Sequence, residues 1–374
     1  MIEKEIDCII LGGGCSALSL AMQIIDNDIS EFSYLILESR TTYKDDRSWC
    51  FWEHRYNNFT NLITKSWKSF SFSTKDRIIT HTSNKYFYHY IRSIDFYNKA
   101  LNEISKTKYI NLKLGEEVLR IKSMRDKYYI YTSKDTYIAK KILDTRPKKN
   151  IYSTSPFLLQ SFMGYEIEIE GNYKSYKTAK IMSNMRIHNN NFVFDYILPI
   201  TKNRLLVEAT LFTKKPVSKR ILKKYLYETL THQRLTNYKI LRKEFGVIPM
   251  GFIKKNIYKE NKSYFYAGGV AGAIRPSSGY AFLRIQDWAK DCAFNLKNKG
   301  ELISHPKESF FLYYMDRKLL KILEKNINLA PVIFFIFLKR ISTISFIRFM
   351  IGRAKFYDYI KVICSMPKKI FLNQ

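Results

Sequence analysis

The first 38 residues carry the pattern that most constrains the fold. An apolar run from Ile6 to Leu11 is followed by Gly12-Gly13-Gly14, by a mostly apolar stretch from Leu18 to Ile25, and by a second apolar run that ends in Glu38. A buried parallel strand, a glycine turn, a helix and a second strand with a terminal acid form a dinucleotide-binding βαβ unit. We therefore predict an α/β protein with a Rossmann-type domain at its amino terminus.

Each part of this unit has a mechanical reason. Gly12 permits the tight turn, Gly14 lets the backbone approach a pyrophosphate, and Ala17 lets the helix and strand pack closely. The phosphates would lie at the helix N-terminus, where free N–H groups favour negative charge. Glu38, 24 residues after Gly14, is placed to accept hydrogen bonds from a ribose. The alternative is an ordinary tight turn, and the glycines alone do not distinguish FAD from a nicotinamide.

The net charge is unusually high. The chain has 63 basic and 33 acidic residues, a formal charge of +30. Such an excess attracts the phosphates of nucleic acid or of an anionic membrane surface. The alternative is a biased composition that leaves a solvated surface without a partner. Because no nucleic-acid-binding motif is recognised, we expect no nucleic-acid partner.

The cysteines and the apolar runs bound the location of the protein. Five scattered cysteines without paired spacing indicate a reduced, cytoplasmic compartment and no metal site. No signal peptide is recognised, because a polar start leads directly into the first strand. The most apolar run, residues 328–338, has 11 residues, fewer than the roughly 20 that span a bilayer. We expect a protein that can lie on a membrane without crossing it.

The segments up to residue 146 combine aromatic residues with short strands. A predicted loop from Ser39 to Tyr56 carries three large aromatic side chains, which either fold over a cofactor or pocket or plug the space between subdomains. A helix is predicted from Ser93 to Ser105, with Ser93 as its N-cap. Strands are predicted at residues 109–114, 118–123, 128–132 and 140–144. Asp144 ends the last of them and either serves the cofactor or caps a turn.

A different pattern begins at Ser161. Alternation of period two predicts antiparallel strands at residues 164–170, 179–185, 191–200 and 204–212, with a turn at 201–203. We infer a second subdomain built on a sheet.

The last of these strands contains a candidate acid. One of its faces carries Leu205, Val207, Ala209 and Leu211, and Glu208 lies among apolar neighbours on the other. Desolvation would raise the pKa of Glu208 and keep it protonated, as a general acid requires. The alternative is an exposed edge glutamate paired with a lysine, and the strand alone leaves both open.

A second glycine-rich segment follows much later. A helix at residues 218–231 is followed by a strand at 264–267 and by Gly268 to Tyr280, with a helix predicted to begin near Ser278. Two such segments suggest one long ligand held at both ends, which fits FAD better than NAD. A simple glycine-rich connector is the alternative.

The chain is predicted to be helical from Ser309 to its end. Residues 332–357 mix apolar and aromatic residues with basic ones, which favours an interfacial membrane segment over a helix packed on the core. The predicted division is therefore a discontinuous cofactor domain (1–150 and 262–300), an antiparallel substrate domain (151–261) and a helical, membrane-associating region (301–374).

Over most of its length the chain resembles the lycopene β-cyclases of carotenoid biosynthesis. Besides the opening βαβ unit and the hairpin from Phe192 to Thr210, the resemblance rests on Asp46-Arg47-Ser48-Trp49-Cys50-Phe51, Leu143-Asp144-Thr145-Arg146, Phe245-Gly246-Val247-Ile248-Pro249 and the segment from Gly272 to Tyr280. In the family, an essential glutamate stands where this chain has Glu208. The family usually has a second acid directly afterwards, where this chain has Ala209, and a small glycine turn where it has Pro147.

The resemblance implies a redox-neutral cyclisation of lycopene that yields β-rings, with reduced FAD bound and NAD(P)H as its reductant. Glu208 would be the catalytic acid. The implied cofactor site comprises Gly12, Gly13, Gly14, Ala17, Glu38, Arg47, Asp144, Gly269, Gly272, Ser278 and Gly279. The implied walls of the substrate pocket are Trp49, Phe51, Trp52, Phe192, Phe194 and Tyr196.

The resemblance also gives the basic, apolar C-terminal region a purpose. Because lycopene dissolves in the bilayer, we expect a peripheral protein on the inner face of the plasma membrane, with an anionic membrane surface as its partner. A flavin oxidoreductase that hydroxylates or reduces an isoprenoid lipid is the alternative enzyme.

Overall fold

The first sheet is assembled around the opening strand. The computed structural model describes residues 5–147, 157–252 and 263–372. In spatial order this sheet consists of β8 (Ile110–Leu114), β2 (Tyr34–Glu38), β1 (Glu5–Leu11), β11 (Thr136–Asp144), β10 (Lys127–Thr132) and β9 (Val118–Met124), and β17 (Tyr264–Tyr266) pairs with β11. The strands β8, β2, β1, β11 and β17 run in parallel. The predicted Rossmann-type α/β fold is confirmed.

Helices flank this sheet where the sequence leaves apolar faces. The helix α1 (Cys15–Asp26) follows the glycine turn and packs against α4 (Phe282–Lys299). The helix α2 has the predicted bounds, Ser93–Ser105. The predicted N-cap is wrong, because Arg92 occupies that position. The Ser93 hydroxyl instead accepts hydrogen bonds from the backbone N–H groups of Asp46 and Arg47, so it anchors the preceding loop.

The predicted loop 39–56 is wrong in its second half. Residues Ser48–His54 form β3, which belongs to a three-stranded sheet with β7 (Tyr86–Arg92) and β4 (Lys65–Trp67). The aromatic residues Trp49, Phe51 and Trp52 pack on the core, which stabilises a strand where the sequence predicts a loop.

The second sheet confirms the predicted antiparallel strands. In spatial order it consists of β16 (Tyr238–Met250), β12 (Leu158–Ile169), β15 (Arg204–Thr213), β14 (Asn191–Pro199), β13 (Thr178–His188), β5 (Ser69–Ser73) and β6 (Ile78–Thr82). The turn at residues 201–203 joins β14 to β15, as predicted. The strands β5 and β6 belong to this sheet, although they come from the range predicted for the cofactor domain.

The two faces of β15 have different neighbours. Leu205, Val207, Ala209 and Leu211 are fully buried under α3 (Lys219–His232), as the alternation predicts. The opposite face, which carries Glu208, is buried among the residues of the main core. Glu208 therefore lies on a central strand and is not an edge glutamate.

The C-terminal region is helical from Phe310 onward, as predicted. It comprises α5 (Phe310–Lys325), α6 (Ala330–Arg340), α7 (Thr343–Met350), α8 (Phe356–Ser365) and α9 (Lys368–Leu372). Most of the apolar residues of α6 and α7 are buried in the core. Within residues 332–357, these two helices therefore favour packing on the core over an interfacial membrane segment. None of the described helices has both the length and the hydropathy to cross a membrane. The domain boundaries predicted at 150/151 and 261/262 lie outside the described residues, and the division into domains stays a prediction.

Candidate active site

The two glycine-rich segments meet at the carboxyl ends of β1, β11 and β17. Gly12 has φ +90°, and its carbonyl accepts a hydrogen bond of 3.1 Å from the Thr145 hydroxyl after β11. Gly268 has φ +75°, and a Cβ there would lie 3.0 Å from the hydroxyl oxygen of Ser16 in α1. In α/β sheets, the crevice outside the carboxyl ends of the strands is where ligands bind. The two segments thus form one cleft.

The N-terminus of α1 faces this cleft without a side-chain cap. Gly14 is the N-cap residue and makes no side-chain cap hydrogen bond. A Cβ at Gly14 or at Gly272 would meet no protein atom within 4 Å. Gly13 differs, because a Cβ there would lie 2.5 Å from the Tyr43 hydroxyl. Ala17 is fully buried, as close packing of the helix on the strand requires.

The two predicted acids border the cleft and are held by arginines. Burial would raise the pKa of Glu38, but hydrogen bonds from Arg40 and from the Gly13 N–H outweigh it and hold that pKa below its usual value. The Gly13 N–H lies 2.8 Å from Oε2 of Glu38. Asp144 accepts hydrogen bonds from the side chain and backbone N–H of Arg146, and from the Tyr264 hydroxyl at 2.9 Å. Asp144 thus does cap the turn after β11.

The remaining predicted cofactor residues divide between this cleft and an apolar cavity. Burial raises the pKa of the Cys15 thiol to about 12, with a hydrogen bond between the thiol and the Ser19 hydroxyl and the charge of Arg47 acting in the opposite direction. Arg47 therefore lies near the start of α1. Gly269 and Gly272 belong to the second glycine-rich segment at the cleft. Ser278 lines the apolar cavity, and Gly279, with φ +73°, lies beside the cavity residue Gln160. The helix predicted to begin near Ser278 is wrong, because residues 275–280 form a turn closed by Arg275 and Tyr280, and α4 begins at Phe282.

An apolar cavity of about 100 Å³ lies between the second sheet and the C-terminal helices. Trp52, Phe194 and Tyr196, all predicted pocket residues, line it together with Tyr280 and Phe346. The Trp52 and Tyr280 rings stack with centroids 5.5 Å apart. Its wall also contains the flexible side chains of Met182, Met315, Met350 and Met366. This cavity is smaller than the roughly 300–1,000 Å³ typical of ligand sites. The flexible methionine side chains would therefore have to move to admit a large ligand.

The other three predicted pocket residues do not line this cavity. Trp49 and Phe51 stack on Phe282, with ring centroids 5.4 Å and 5.1 Å away. Phe192 stacks on the cavity residue Phe334 at 5.4 Å, so it supports the wall from behind.

Glu208 lies behind the cavity wall, opposite Tyr196 on β14. Its side chain is buried, and its Oε1 accepts a 2.7 Å hydrogen bond from the Thr210 hydroxyl. Burial, the nearby charge of Glu244 and a hydrogen bond with Glu244 raise the pKa of Glu208 well above its ordinary value. The sequence-based expectation of a protonated, desolvated carboxyl is consistent with this geometry.

Sequence reasoning missed the second carboxyl group. Gly164 on β12 is the cross-strand partner of both Glu208 and Glu244. A Cβ at Gly164 would lie 3.3 Å from Cβ of Glu208 and 3.2 Å from Cγ of Glu244. Only glycine, which has no Cβ, leaves room at position 164 for the side chains of both Glu208 and Glu244.

Glu244 is itself held by donors on one side. Its Oε2 accepts hydrogen bonds from Arg242 at 2.9 Å and from the Ser48 hydroxyl at 2.8 Å.

A register shift near Glu166 breaks the alternation of β16, which hid this strand in the sequence. Ala209, which follows Glu208, points into the core under α3 and takes no part in this cluster.

The fold and this site define an α/β protein of Rossmann type with a buried carboxyl pair behind the wall of an apolar cavity. Three solved structures are similar in fold over nearly the whole chain. A geranylgeranyl bacteriochlorophyll reductase-like protein from Thermoplasma acidophilum has 12% identity and a TM-score of 0.64, covering 99% of this chain and 98% of that one. A p-nitrophenol 4-monooxygenase from Pseudomonas putida has 10% identity, a TM-score of 0.58 and coverage of 99% and 96%. A flavoprotein/dehydrogenase from Cytophaga hutchinsonii has 11% identity, a TM-score of 0.57 and coverage of 99% and 100%.

The sequence itself identifies the family. The family model described as lycopene cyclase protein matches residues 7–372, nearly the whole chain. The chain belongs to the lycopene cyclase family, and the resemblance found in the sequence is confirmed.

Replacing Glu208 by Gln should make the protein more stable at neutral pH. An unfolded chain releases the Glu208 proton above about pH 4.3, whereas the folded protein keeps it because its pKa is raised. As the pH rises above that value, the free energy of unfolding of the wild type should fall relative to that of Glu208→Gln, by up to about 1.4 kcal/mol per pH unit. The fall should end where the pH reaches the pKa that Glu208 has in the folded protein.

Urea unfolding of both proteins between pH 4 and pH 8 measures this difference, with Glu168→Gln as the control because Glu168 is exposed on β12. Parallel stability curves for wild type and Glu208→Gln would contradict a raised pKa.

Proposed function

We propose that the protein is a lycopene β-cyclase that closes the linear ends of lycopene into β-rings, giving γ-carotene or β-carotene. The observation that carries this proposal is Glu208, a buried carboxyl with a raised pKa beside an aromatic cavity. Membership of the lycopene cyclase family supports the same substrate class.

The cleft at α1 fits FAD. The uncapped N-terminus of α1 offers N–H groups to a pyrophosphate, and the open space over Gly14 and Gly272 leaves room for it. Arg47 lies near the same helix end and would add a positive charge. Glu38 borders the cleft at the end of β2, as a ribose-binding acid would. Similar solved structures include a protein described as a flavoprotein/dehydrogenase, which supports FAD over a nicotinamide.

When bound in its reduced form, FAD would supply negative charge beside a developing carbocation, and NAD(P)H would be the reductant that produces this form. The remaining cofactor residues would shape the site. Gly12 and Gly13 close the first turn, and Asp144 orders Arg146. Gly269, Ser278 and Gly279 would form a second wall that extends toward the apolar cavity.

Glu208 would carry the proton chemistry. Its carboxyl proton is transferred to the terminal alkene of lycopene, and the resulting tertiary cation is attacked by the next double bond to close the ring. Loss of a ring proton to the Glu208 carboxylate then gives the β-ring and restores the acid. No electrons enter the product, so the reaction is an isomerisation.

The cavity residues would stabilise the cation and keep water away. The faces of Trp52, Tyr196 and Tyr280 carry partial negative charge that attracts a cation. Because the cavity is small, one end of the polyene would enter while the flexible methionines move aside.

An exposed apolar patch supports a membrane as the source of the substrate. Phe310 on α5 is 77% exposed and Phe356 on α8 is 70% exposed, and the rings of Phe311 and Tyr359 join these two helices at 5.9 Å. Exposed lysines flank the patch at positions 355, 361, 368 and 369. Met366, which follows α8, lines the cavity. We propose that this patch docks the protein on the inner, anionic face of the plasma membrane.

Substitutions in the glycine turn should separate cofactor binding from folding. Gly14→Ala should leave thermal stability unchanged, because its Cβ meets no protein atom, but should weaken FAD binding about tenfold or more, equal to about 1.4 kcal/mol. Gly13→Ala should lower thermal stability as well as FAD affinity, because its Cβ would clash with the Tyr43 hydroxyl. Flavin fluorescence titration and thermal unfolding measure the two effects. Unchanged FAD affinity in Gly14→Ala would be incompatible with phosphates at this helix end.

Activity on lycopene tests the proposed function directly. Purified protein with lycopene liposomes, FAD and NADPH should yield a cyclised product of unchanged mass, and Glu208→Gln should bind FAD and form no rings above background. A product heavier by hydrogen or oxygen would instead favour an oxidoreductase acting on an isoprenoid lipid, which the similar reductase-like and monooxygenase structures make the second candidate. Normal turnover by Glu208→Gln would exclude Glu208 as the acid.

The membrane patch can be tested with matched apolar positions. Changing Phe356 and Ile363 to Asp should reduce binding to phosphatidylglycerol vesicles several-fold, because both side chains are exposed on α8. Ile78→Asp with Leu119→Asp is the control, since those side chains are as exposed but lie on strands of the two sheets. Vesicle sedimentation measures binding, and equal losses in the two double variants would argue against a specific patch.

A further inference from the structure

We propose that Glu208 and Glu244 hold a single proton between them across Gly164, with Arg242 and Ser48 fixing the negative charge on Glu244 and leaving the proton on Glu208. Glu244 is then a positioning residue that acts through Glu208. The shared proton stands independently of the reaction, whereas its catalytic use rests on the proposed cyclisation.

The geometry over Gly164 brings the two carboxyl groups together. A Cβ at Gly164 would lie 3.3 Å from Cβ of Glu208 and also 3.3 Å from Oε1 of Glu244. The Oε1 atom of Glu244 therefore lies on the side of Glu208. The Oε2 atom of Glu244 faces away and accepts from Arg242 and Ser48. Two carboxylates at such close range repel, and one proton removes that repulsion.

The local balance of charge leads to the same distribution. The arginines of this cluster are already engaged with other acids: Glu166 pairs with Arg204 and Arg242, and Asp45 with Arg92 and Arg242. With Glu244 also ionised, the carboxylates Glu166, Asp45 and Glu244 match the guanidinium groups of Arg204, Arg92 and Arg242. A further negative charge on Glu208 would be buried without a counter-ion, which is strongly unfavourable.

The other groups that face Glu208 act in both directions. On its own strand Thr210 donates to Oε1, which lowers the pKa of Glu208, but burial, the largest cause, raises that pKa and outweighs it. On β14 Tyr196 faces Glu208, with a pKa raised by burial and by the Glu208 charge. On β3 Cys50 is near enough to sense both carboxyl groups, and burial raises its pKa. Arg242 on β16 is the cation that opposes the effect of Glu244 on the pKa of Glu208. Asp316, the carboxylate that lines the cavity itself, is paired with Arg275, so Glu208 behind the wall formed by Tyr196 is the acid without a cation of its own.

Infrared titration of the purified protein tests the shared proton without any substrate. The C=O band of a protonated carboxylic acid that disappears in Glu208→Gln reports Glu208. In Glu244→Gln the midpoint at which this band is lost should move to lower pH by about one unit or more, because the repelling charge is gone. Glu168→Gln should leave the midpoint unchanged. An unchanged or higher midpoint in Glu244→Gln would overturn the proposal.

A second variant covers a failure of Glu244→Gln to fold. Glu244→Ala removes the same charge without placing an amide beside Arg242 and should also lower the midpoint. If lycopene is cyclised, the alkaline limb of the pH–rate profile should shift by the same amount in both variants, with kcat at low pH preserved. A lower kcat at all pH values with an unmoved limb would show a merely structural role. A shifted infrared midpoint in a protein that forms no rings would support the carboxyl pair and reject the cyclase.

Discussion

The burial of Glu208 between an apolar cavity and a second carboxyl group is the constraint on which the proposed chemistry depends. An alkene is a very weak base, so its protonation needs a donor that still holds its proton at neutral pH and surroundings that stabilise the cation as it forms. Desolvation raises the pKa of Glu208, and Glu244 adds to the effect. The apolar neighbours that keep the Glu208 carboxyl protonated also exclude water from the cation that would form.

The protein stabilises this arrangement with a network of buried charges at the edge of the second sheet. Arg242 is almost fully buried and contacts Glu166, Glu244 and Asp45, while Glu166 also pairs with Arg204. Buried ions are tolerated only when they are paired and hydrogen-bonded. The hydroxyls of Ser48 and Tyr90 accept hydrogen bonds from Arg242, so β3 and β7 are linked to β16 through the same group. The carboxyl pair is thus fixed from three elements, and the aromatic strand β3 brings both Ser48 and Trp52 to the site.

Much of this could be predicted from the sequence, and the failures have physical reasons. The βαβ unit, the strands β12 to β15 and the position of Glu208 follow from periodicities that local burial imposes. The strand β3 was predicted as a loop, since its aromatic residues next to charged ones obscure the alternation. The role of Glu244 depends on a partner 36 residues earlier in the chain, on a bulge in β16 and on a glycine in a third strand, and no local pattern reports such a long-range register. Likewise, the apolar residues of α6 and α7 have the composition of a membrane-binding segment, and only their packing on the core shows which side chains stay exposed.

Cyclisation by protein equilibrated in deuterium oxide tests the central claim most directly, because Glu208 then carries deuterium when lycopene first binds. We predict that the β-ring formed in a single turnover of the wild-type protein contains one deuterium atom, and that Glu208→Gln with FAD bound forms no labelled rings. Rings without deuterium in that turnover, or labelled rings formed by Glu208→Gln at the wild-type rate, would contradict the claim.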